Sequence, residues 1–393
     1  MIITRKCNYT IYIYTTLLLA CFTCGPVHAQ NKGGLFGKSK TPSSTEIKIE
    51  SYIFKDGSEY IGEMKSRKPH GKGITTFKNG DKYEGEYVKG RREGFGIYSF
   101  PDGEKYEGQW FQDQQHGKGI FYFMNNNRYD GMWFQDYQHG EGVMHYHNGD
   151  LYEGTWANDK REGKGTYTWK NGAQYTGGWK NDKKSGKGVM KWDDGCIYEG
   201  DWKNDVRDGK GTFEYTNGDK YVGDWLEDIQ HGKGIYFFHT GDRYEGDYLY
   251  GERTGAGIYY HANGDKYVGS FKNGMQDGQG TFTWANGAIY EGSWKDNKRS
   301  GRGNYKWNNG DTYDGEWKNN QPNGQGTLLL QNGTRYKGEF VNGLEEGKGV
   351  QEDKNGNRYD GFFKQGKKHG PFVETDANGK VVRKGTYNFG KVN

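Results

Sequence analysis

Aromatic residues and glycines alternate with polar residues along the chain, and this pattern recurs every 23 residues. Fourteen tyrosines, from Tyr60 to Tyr359, follow one another at this spacing without an insertion or deletion. Each is followed by glycine at the second and eleventh positions, and thirteen are followed by an aromatic residue at the fourth. A period held through so many copies is typical of a repeat array, in which each repeat is one supersecondary motif.

Each repeat predicts two short antiparallel strands. The copy that begins at Tyr152 has the sequence YEGTWANDKREGKGTYTWKNG, and its glycines and aromatic residues lie two positions apart within each half. Successive strand side chains point to opposite faces of a sheet, so Tyr152, Gly154 and Trp156 share one face. On the second strand, one face is shared in the same way by Gly163, Gly165, Tyr167 and Trp169. We expect consecutive hairpins to pair into a meander.

The two connections of the repeat differ in composition. Asn171-Gly172 follows the second strand, and this dipeptide predicts a tight hairpin turn of type I′. The segment from Ala157 to Glu162, between the two strands, is polar and predicts a longer, solvated loop.

The aromatic face of each hairpin predicts the core. A glycine beside a cross-strand aromatic residue leaves room for the ring to lie over the backbone, and the rings would stack from repeat to repeat. The same rings could instead form a binding face, so the tryptophans at the fourth position are candidates for either role. They are Trp110, Trp133, Trp156, Trp179, Trp202, Trp225, Trp294 and Trp317. The opposite face alternates acids with lysines, such as Asp201 and Lys187.

The pattern Y-x-G-x-W/Y/F, then G-x-G, then N/D-G, at a 23-residue period, resembles the MORN (membrane occupation and recognition nexus) repeat family. The resemblance covers Ser51 to about Gly379, with departures at Met64, at Asn126 and at Pro371-Phe372. It implies the fold that the spacing also predicts, an all-β, elongated and twisted single-sheet solenoid of about fourteen β-hairpins.

The remaining segments flank this array. Residues 1–29 predict a secretory signal peptide, because Arg5 and Lys6 precede a short apolar run that ends before Ala29. Residues 30–45 predict a flexible linker. Residues 46–59 predict a capping half-repeat, residues 60–379 the fourteen repeats, and residues 380–393 a C-terminal capping strand.

The leader leaves alternatives open. Leu18-Leu19-Ala20-Cys21 resembles a bacterial lipoprotein box, which would place a lipid on Cys21. An uncleaved membrane anchor is the other alternative. The protein is therefore expected to be exported to the periplasm, the cell envelope or the medium. Removal of the leader would leave Cys196 as the one cysteine, so no internal disulfide is expected.

Catalytic and metal chemistry is not expected. Histidines recur before the eleventh-position glycine, at His70, His116, His139, His231 and His369, but neighbouring copies would lie about 10 Å apart. One zinc ion could not bind two of them, so we interpret them as loop residues with local bonds. The Gly-x-Gly motifs do not open helices, which excludes a phosphate-binding loop. No enzyme activity, metal or cofactor is predicted.

The sequence therefore predicts a non-catalytic scaffold that binds protein partners. Association with membrane lipid, which the family resemblance suggests, and binding of envelope glycan by rows of aromatic rings are the alternatives. The net charge of +4, or +2 without Arg5 and Lys6, argues against nucleic acid as a partner. A homodimer is left open.

Overall fold

The structure, a computed structural model, describes residues 47–392. The predicted signal peptide with Cys21, the linker and the first residue of the capping half-repeat lie outside the described residues. The chain divides into two compact units between Val206 and Arg207, and each is described by itself. In the part of the chain that is described, no helix has the length and hydrophobicity that a bilayer crossing would need.

The first unit consists of strands joined by short turns. They are β1 (Lys48–Ile53), β2 (Glu59–Lys65), β3 (Lys68–Thr76), β4 (Lys82–Val88), β5 (Arg91–Ser99), β6 (Lys105–Phe111), β7 (Gln114–Tyr122), β8 (Arg128–Phe134), β9 (Tyr137–His145), β10 (Leu151–Ala157), β11 (Lys160–Thr168), β12 (Gln174–Lys180), β13 (Lys183–Lys191) and β14 (Ile197–Lys203).

The second unit continues the same alternation of shorter and longer strands. They are β15 (Val206–Glu214), β16 (Lys220–Leu226), β17 (Ile229–Phe237), β18 (Arg243–Leu249), β19 (Glu252–Tyr260), β20 (Lys266–Lys272), β21 (Met275–Thr283), β22 (Ile289–Lys295), β23 (Lys298–Lys306), β24 (Thr312–Lys318), β25 (Gln321–Leu329), β26 (Arg335–Val341), β27 (Leu344–Glu352), β28 (Arg358–Lys364), β29 (Lys367–Thr375), β30 (Val381–Asn388) and β31 (Lys391–Val392).

Within each unit, every strand pairs antiparallel with its neighbours in the chain. Cross-strand partners keep the aromatic residues on one face, as where Tyr152 lies opposite Tyr167 and Tyr167 lies opposite Tyr175. The all-β solenoid of 23-residue hairpins is confirmed, and in each unit the hairpins form one antiparallel sheet.

The turn at Asn171-Gly172 is not the predicted type I′ turn. The Gly172 N–H donates to the Trp169 carbonyl at 2.9 Å, and the Trp169 N–H donates to the Ala173 carbonyl at 2.9 Å. Only Gly172 has a positive φ, of 92°. This is a type I turn followed by a left-handed residue that forms a bulge, the usual three-residue hairpin connection. We call it the glycine turn.

The predicted long loop is in fact the tighter connection. β10 ends at Ala157 and β11 begins at Lys160, so only Asn158 and Asp159 lie between them. Their φ angles are 49° and 63°, and a positive φ at both central residues is the requirement of a type I′ turn. The same two-residue turn joins the strands of every repeat, and Ala157 and Glu162 belong to strands rather than to a loop.

A bulge accounts for the glycine at the eleventh position. The register of β10 and β11 shifts between Gly154 and Trp156, and Gly163 lies in β11 where the shift occurs. Gly163 has a φ of 78°, and the equivalent glycine has a positive φ in all fourteen repeats. An L-residue with a side chain rarely adopts this conformation, so glycine is required here for its backbone and not, as we expected, to make room for a ring.

The ends of the array carry additional strands. β1, within the predicted half-repeat, pairs with β2 and places Tyr52 opposite Tyr60. β30 pairs with β29, and the short β31 turns back onto the end of β30 at Tyr387 and Asn388.

Candidate interaction surfaces

The tyrosine that opens a repeat lies across two glycines of its own hairpin, except in the last repeat. Gly154 and Gly165 are cross-strand partners, and a Cβ atom on Gly154 would lie 2.6 Å from the Tyr152 hydroxyl oxygen. That hydroxyl donates to the Thr155 carbonyl at 3.1 Å. The equivalent bond, to the carbonyl three residues further on, is present in all fourteen repeats. These tyrosines are at most 4% exposed, so their rings and hydroxyls are internal.

The tryptophan at the fourth position connects each repeat to the preceding one. Trp179 Nε1 donates to the Gly165 carbonyl at 3.1 Å, and its ring packs edge to face against Tyr152 and Tyr175. All eight tryptophans singled out in the sequence make the equivalent bond, over 3.0–3.3 Å. All eight are 4–7% exposed. The structure thus places them in the core, with their one donor already bonded.

A cation covers many of these indole rings. The Arg161 guanidinium lies 4.3 Å from the centroid of Trp179 and donates to the backbone carbonyl of Asp182 at 2.7 Å. The Asp182 carboxylate accepts from the Arg161 backbone N–H and Nε, at 3.0 and 3.1 Å. Asp182 lies in the two-residue turn of the next repeat, so this contact also joins consecutive repeats. Arg92 and Arg207 occupy equivalent positions.

Buried carboxylates fix the glycine turns. Asp150 is fully buried and accepts from the Tyr167 hydroxyl at 2.6 Å and from the Lys170 N–H at 2.9 Å. Burial raises the pKa of Asp150 above its usual range, because it penalises the charged form more than these bonds favour it. At Asp219 burial acts in the same sense, but hydrogen bonds from His239, Asn217 and Tyr236 outweigh it and hold the pKa below its usual range.

Four further tryptophans are only half-buried, and the sequence analysis named only Trp169 among them, on the aromatic face. Each begins a glycine turn, directly after the longer strand of a hairpin. They are Trp169, Trp192, Trp284 and Trp307. The ring of Trp169 lies 4.7 Å from that of Tyr167, and the ring of Trp284 lies 5.1 Å from that of Tyr305. We call these four the turn tryptophans. The same two-residue spacing could have indicated the other three.

The opposite face, which we call the outer face, carries the predicted charge alternation. Lys187 and Asp201 form an ion pair at 2.8 Å, and Lys233 and Asp247 form one at 2.5 Å. Solvent reaches these groups, so each pair contributes about 0–1 kcal/mol. In the second unit, Val222, Ile235 and Val268 interrupt the charges beside an open cavity of about 630 Å³.

A second interruption of the charges lies in the first unit, on β6 to β9. Phe111, His116, Phe134 and His139 form a row of rings with centroids 5.4–5.7 Å apart. Tyr137 is the cross-strand partner of Phe134. The phenylalanines are 47% exposed and Tyr137 is 50% exposed. We call these five residues the edge aromatic cluster. Sequence reasoning missed it, because its members occupy positions that vary from repeat to repeat.

The recurring histidines do not form a metal site in the described residues. All five lie in the longer strands and not in loops, because the connection before them has only two residues. Several of them pack against aromatic rings, as His231 does against Tyr250 and His369 against Phe389. Across residues 47–392, no group of three or more histidine, cysteine or acidic side chains could hold a metal ion. Cys196 is buried.

Comparison with known families agrees with this geometry. The model of the MORN repeat matches fourteen consecutive 23-residue segments, from 60–82 to 359–381. The chain belongs to the MORN repeat family. A search among curated proteins finds no match to the MORN array or to the rest of the chain.

The solved structures that align with this MORN array have low sequence identity and low TM-scores. The TCP10 domain of Danio rerio CPAP, in complex with a peptide of Danio rerio STIL, is 14% identical. The alignment covers 57% of this chain and 96% of that one, with a TM-score of 0.32. The SAS-4 TCP domain of Drosophila melanogaster is also 14% identical, over 40% of this chain and 85% of that one, with a TM-score of 0.27.

The departures from the MORN pattern keep the local geometry. Asn126 replaces the glycine of one glycine turn and has a φ of 63°, which asparagine tolerates better than most residues. Phe372 replaces the second glycine in the last repeat. Its ring is 4% exposed and stacks on Tyr359 at 5.5 Å, so the last repeat places a second buried ring where the others have a glycine.

Proposed function

We propose that this MORN protein is a non-catalytic, exported scaffold that binds a protein partner through the edge aromatic cluster. The observation that carries the proposal is that Phe111, Phe134 and Tyr137 are 47–50% exposed and lie together, whereas the repeat tyrosines and fourth-position tryptophans are buried. Contiguous exposed apolar surface marks interaction sites in soluble proteins. Aromatic residues are also enriched where protein interfaces concentrate their binding energy.

The surroundings of the cluster favour protein over anionic lipid. Positive and negative side chains alternate on the strands that carry the cluster, where Lys105 pairs with Glu107 at 3.1 Å on β6 and Arg128 pairs with Asp130 at 2.6 Å on β8. A surface that binds anionic headgroups would need an excess of lysine and arginine. The mixed charge instead matches the polar rim of a protein interface.

The absence of catalysis is inferred from how the polar side chains are used. The repeat tyrosine hydroxyls and the fourth-position indole N–H groups all donate to backbone carbonyls. The longer-strand histidines pack against rings, as at His116 and His139. Tyr60 shows the effect on reactivity, because burial raises the pKa of its hydroxyl to about 12 and keeps it protonated.

Binding can be tested by comparing the protein with Phe111→Lys/Phe134→Lys and with Val341→Lys. Val341 occupies the same repeat position as Phe111 and is 40% exposed, which makes it a matched control. We expect the unaltered protein and Val341→Lys to capture the same proteins from the cell envelope fraction. The double variant should not capture them. Equal capture by all three would contradict the proposal. Binding to phosphatidylserine vesicles that the double variant abolishes would replace it with the lipid alternative.

Glycan binding is the second candidate, and the turn tryptophans favour it. Trp169, Trp192, Trp284 and Trp307 are half-buried, so a face of each ring could stack on a sugar. The fourth-position tryptophans offer no such surface. Sedimentation with insoluble peptidoglycan that Trp169→Ala/Trp192→Ala abolishes, while Phe111→Lys/Phe134→Lys does not, would favour this candidate over the scaffold.

Export is proposed from Arg5, Lys6 and the apolar run before Ala29. N-terminal sequencing of material purified from the natural host should begin at or near Gln30. A lipid-bearing start at Cys21 would instead support anchoring as a lipoprotein, and a retained Met1 on a cytoplasmic protein would contradict export.

A further inference from the structure

The hydrogen-bonding groups along one edge of β1 have no strand to pair with in the described residues. β1 pairs with β2, and the Phe54 N–H donates to the Ser58 carbonyl at 2.9 Å where the two strands meet. Antiparallel ladders alternate, so Tyr52 points its backbone groups toward β2. Ile49, Ser51 and Ile53 therefore point their N–H and C=O groups away from β2. Such an edge is a template for another strand.

The side chains of β1 increase this tendency. Ile49 is 80% exposed and Ile53 is 68% exposed, both on the outer face. Ile61, opposite Ser51 on β2, is 58% exposed on the same face. The last strands of the chain differ, because β31 covers part of β30 and Arg383 and Lys384 add positive charge there. Charge and short covering strands protect sheet edges from association, and the edge of β1 lacks a covering strand in residues 47–392.

We propose that a second copy of this chain pairs with β1, giving a two-fold dimer in which the two β1 strands run antiparallel about Ser51. In this register the residues whose N–H and C=O groups point away from β2 lie opposite one another. Ser51 lies opposite Ser51 of the second copy, and Ile49 lies opposite its Ile53. The isoleucines make two apolar cross-strand contacts on the outer face. On the other face, Glu50 lies opposite Tyr52 of the second copy.

The neighbouring symmetric register is less favourable. Centring the pair on Glu50 would place two carboxylates directly opposite each other, and like charges at such positions are destabilising. It would also separate Ile49 from Ile53 of the second copy. The register about Ser51 is self-complementary and avoids this repulsion, and self-complementarity is the property that a two-fold interface requires. Because one short strand pair buries little surface, the dimer should depend on protein concentration.

Analytical ultracentrifugation of the purified protein over a range of concentrations tests this dimer. Ser51→Pro removes an N–H that points to the free edge and leaves the bonds to β2 in place. Ile49→Lys adds a charge to the contact. We expect each change to raise the dimer dissociation constant at least tenfold, which corresponds to about 1.4 kcal/mol. Leu329 lies on the outer face of β25 and is 43% exposed. Leu329→Lys is therefore the control and should dimerise like the unaltered protein.

Cross-linking gives a second measurement that does not depend on β1 tolerating proline. In the proposed register the two Ser51 Cα atoms would lie about 5.5 Å apart, within the range that a disulfide spans. Ser51→Cys should therefore form a covalent dimer on mild oxidation, and Lys55→Cys, which retains the same native cysteines, should not. Equal cross-linking of the two variants would overturn the proposal, as would a dimer that Ser51→Pro and Ile49→Lys leave unchanged. Assemblies that keep growing with concentration would indicate a different, head-to-tail contact.

Discussion

At the scale of single residues, the abundance of glycine has three separate causes in each repeat. Gly154 and Gly165 leave the space that the Tyr152 ring occupies. Gly163 adopts a positive φ at the bulge, and Gly172 adopts one in the glycine turn. These requirements differ, because the first pair excludes any Cβ atom, whereas the other two positions require a positive φ and, at Gly172, an added Cβ would meet no atom within 4 Å.

The two kinds of glycine predict different costs of substitution. Gly154→Ala should destabilise the protein by about 3 kcal/mol or more, because its Cβ atom would overlap the Tyr152 hydroxyl and the backbone of Gly165. Gly172→Asn should cost less than about 1 kcal/mol, since no atom lies within 4 Å of the added Cβ and Asn126 already occupies the equivalent position. Urea unfolding of both variants measures the difference, and equal costs would contradict this account of the core.

The indole bond between repeats predicts a graded series at Trp202. Its ring is 4% exposed and its Nε1 donates to the Gly188 carbonyl at 3.2 Å. Trp202→Ala should cost about 3–5 kcal/mol, as a large cavity does. Trp202→Phe should cost about 1–3 kcal/mol, mainly because the carbonyl loses its donor.

The exposed Lys183 provides the control for this series, since Lys183→Ala should change the free energy of unfolding by no more than about 0.5 kcal/mol. Chemical denaturation measures all three variants. A silent Trp202→Ala would show that the ring does not contribute to the core.

At the scale of the hairpin, the sequence predicted the strands and their faces correctly. It placed the type I′ turn at Asn171-Gly172, whereas the structure has it at Asn158-Asp159. Asn-Gly suits a type I′ turn, yet it also suits a type I turn followed by a left-handed glycine. The choice depends on how many residues the strands leave unpaired, and the dipeptide alone does not contain that number. Asn158-Asp159 looked like loop because neither residue is glycine, although both tolerate a positive φ.

The hairpin repeat also predicts which deletions the protein tolerates. Removal of residues 152–174 takes out one complete repeat and leaves a neighbour with the same tyrosine, tryptophan and glycine positions to accept each bond. Removal of residues 152–162 takes out nearly all of β10, its two-residue turn and the start of β11, so that two longer strands, β9 and the rest of β11, are forced together. We expect the first deletion to remain soluble with a melting temperature within a few degrees of the original, and the second to aggregate. Similar behaviour of the two would contradict a repeat that packs only against its neighbours.

At the scale of the whole molecule, burial of the repeat tyrosines determines the response to alkali. Desolvation raises the pKa of Tyr60, Tyr290 and Tyr359 from near 10 to about 12. A folded pKa above the unfolded value gives stability that is complete below pH 10 and is lost as the pH rises toward 12. Within that interval, each such tyrosine lowers the free energy of unfolding by about 1.4 kcal/mol per pH unit.

We therefore expect the β-sheet circular dichroism signal to persist to about pH 10 and to collapse before pH 12, together with the appearance of tyrosinate absorbance. Tyr250→Phe is the control, because Tyr250 is 71% exposed and should not shift the transition. Tyrosinate absorbance that accounts for most of the tyrosines near pH 10, without loss of the sheet signal, would show that the repeat tyrosines are accessible to solvent.

Across the whole molecule, the sequence predicted the positions that recur in every repeat but not those that differ between repeats. Positions that recur, such as the fourth-position tryptophans, were assigned to a common face because the period fixes their surroundings. The edge aromatic cluster has no such period. Phe111 and Phe134 are recognisable only after the strand register places them beside His116 and His139. Here a candidate binding surface arises from departures from the repeat and not from the repeat itself.

The bond from each indole to a glycine carbonyl also bears on how such a protein changes over evolutionary time. The acceptor is a main-chain atom at a position that nearly every copy possesses, and the bond extends back only one copy. A duplicated or lost segment of the gene, if it spans one whole period, therefore supplies or removes donor and acceptor together. The number of copies can drift without compensating mutations elsewhere, and selection on partner binding can act separately on the residues that differ between copies.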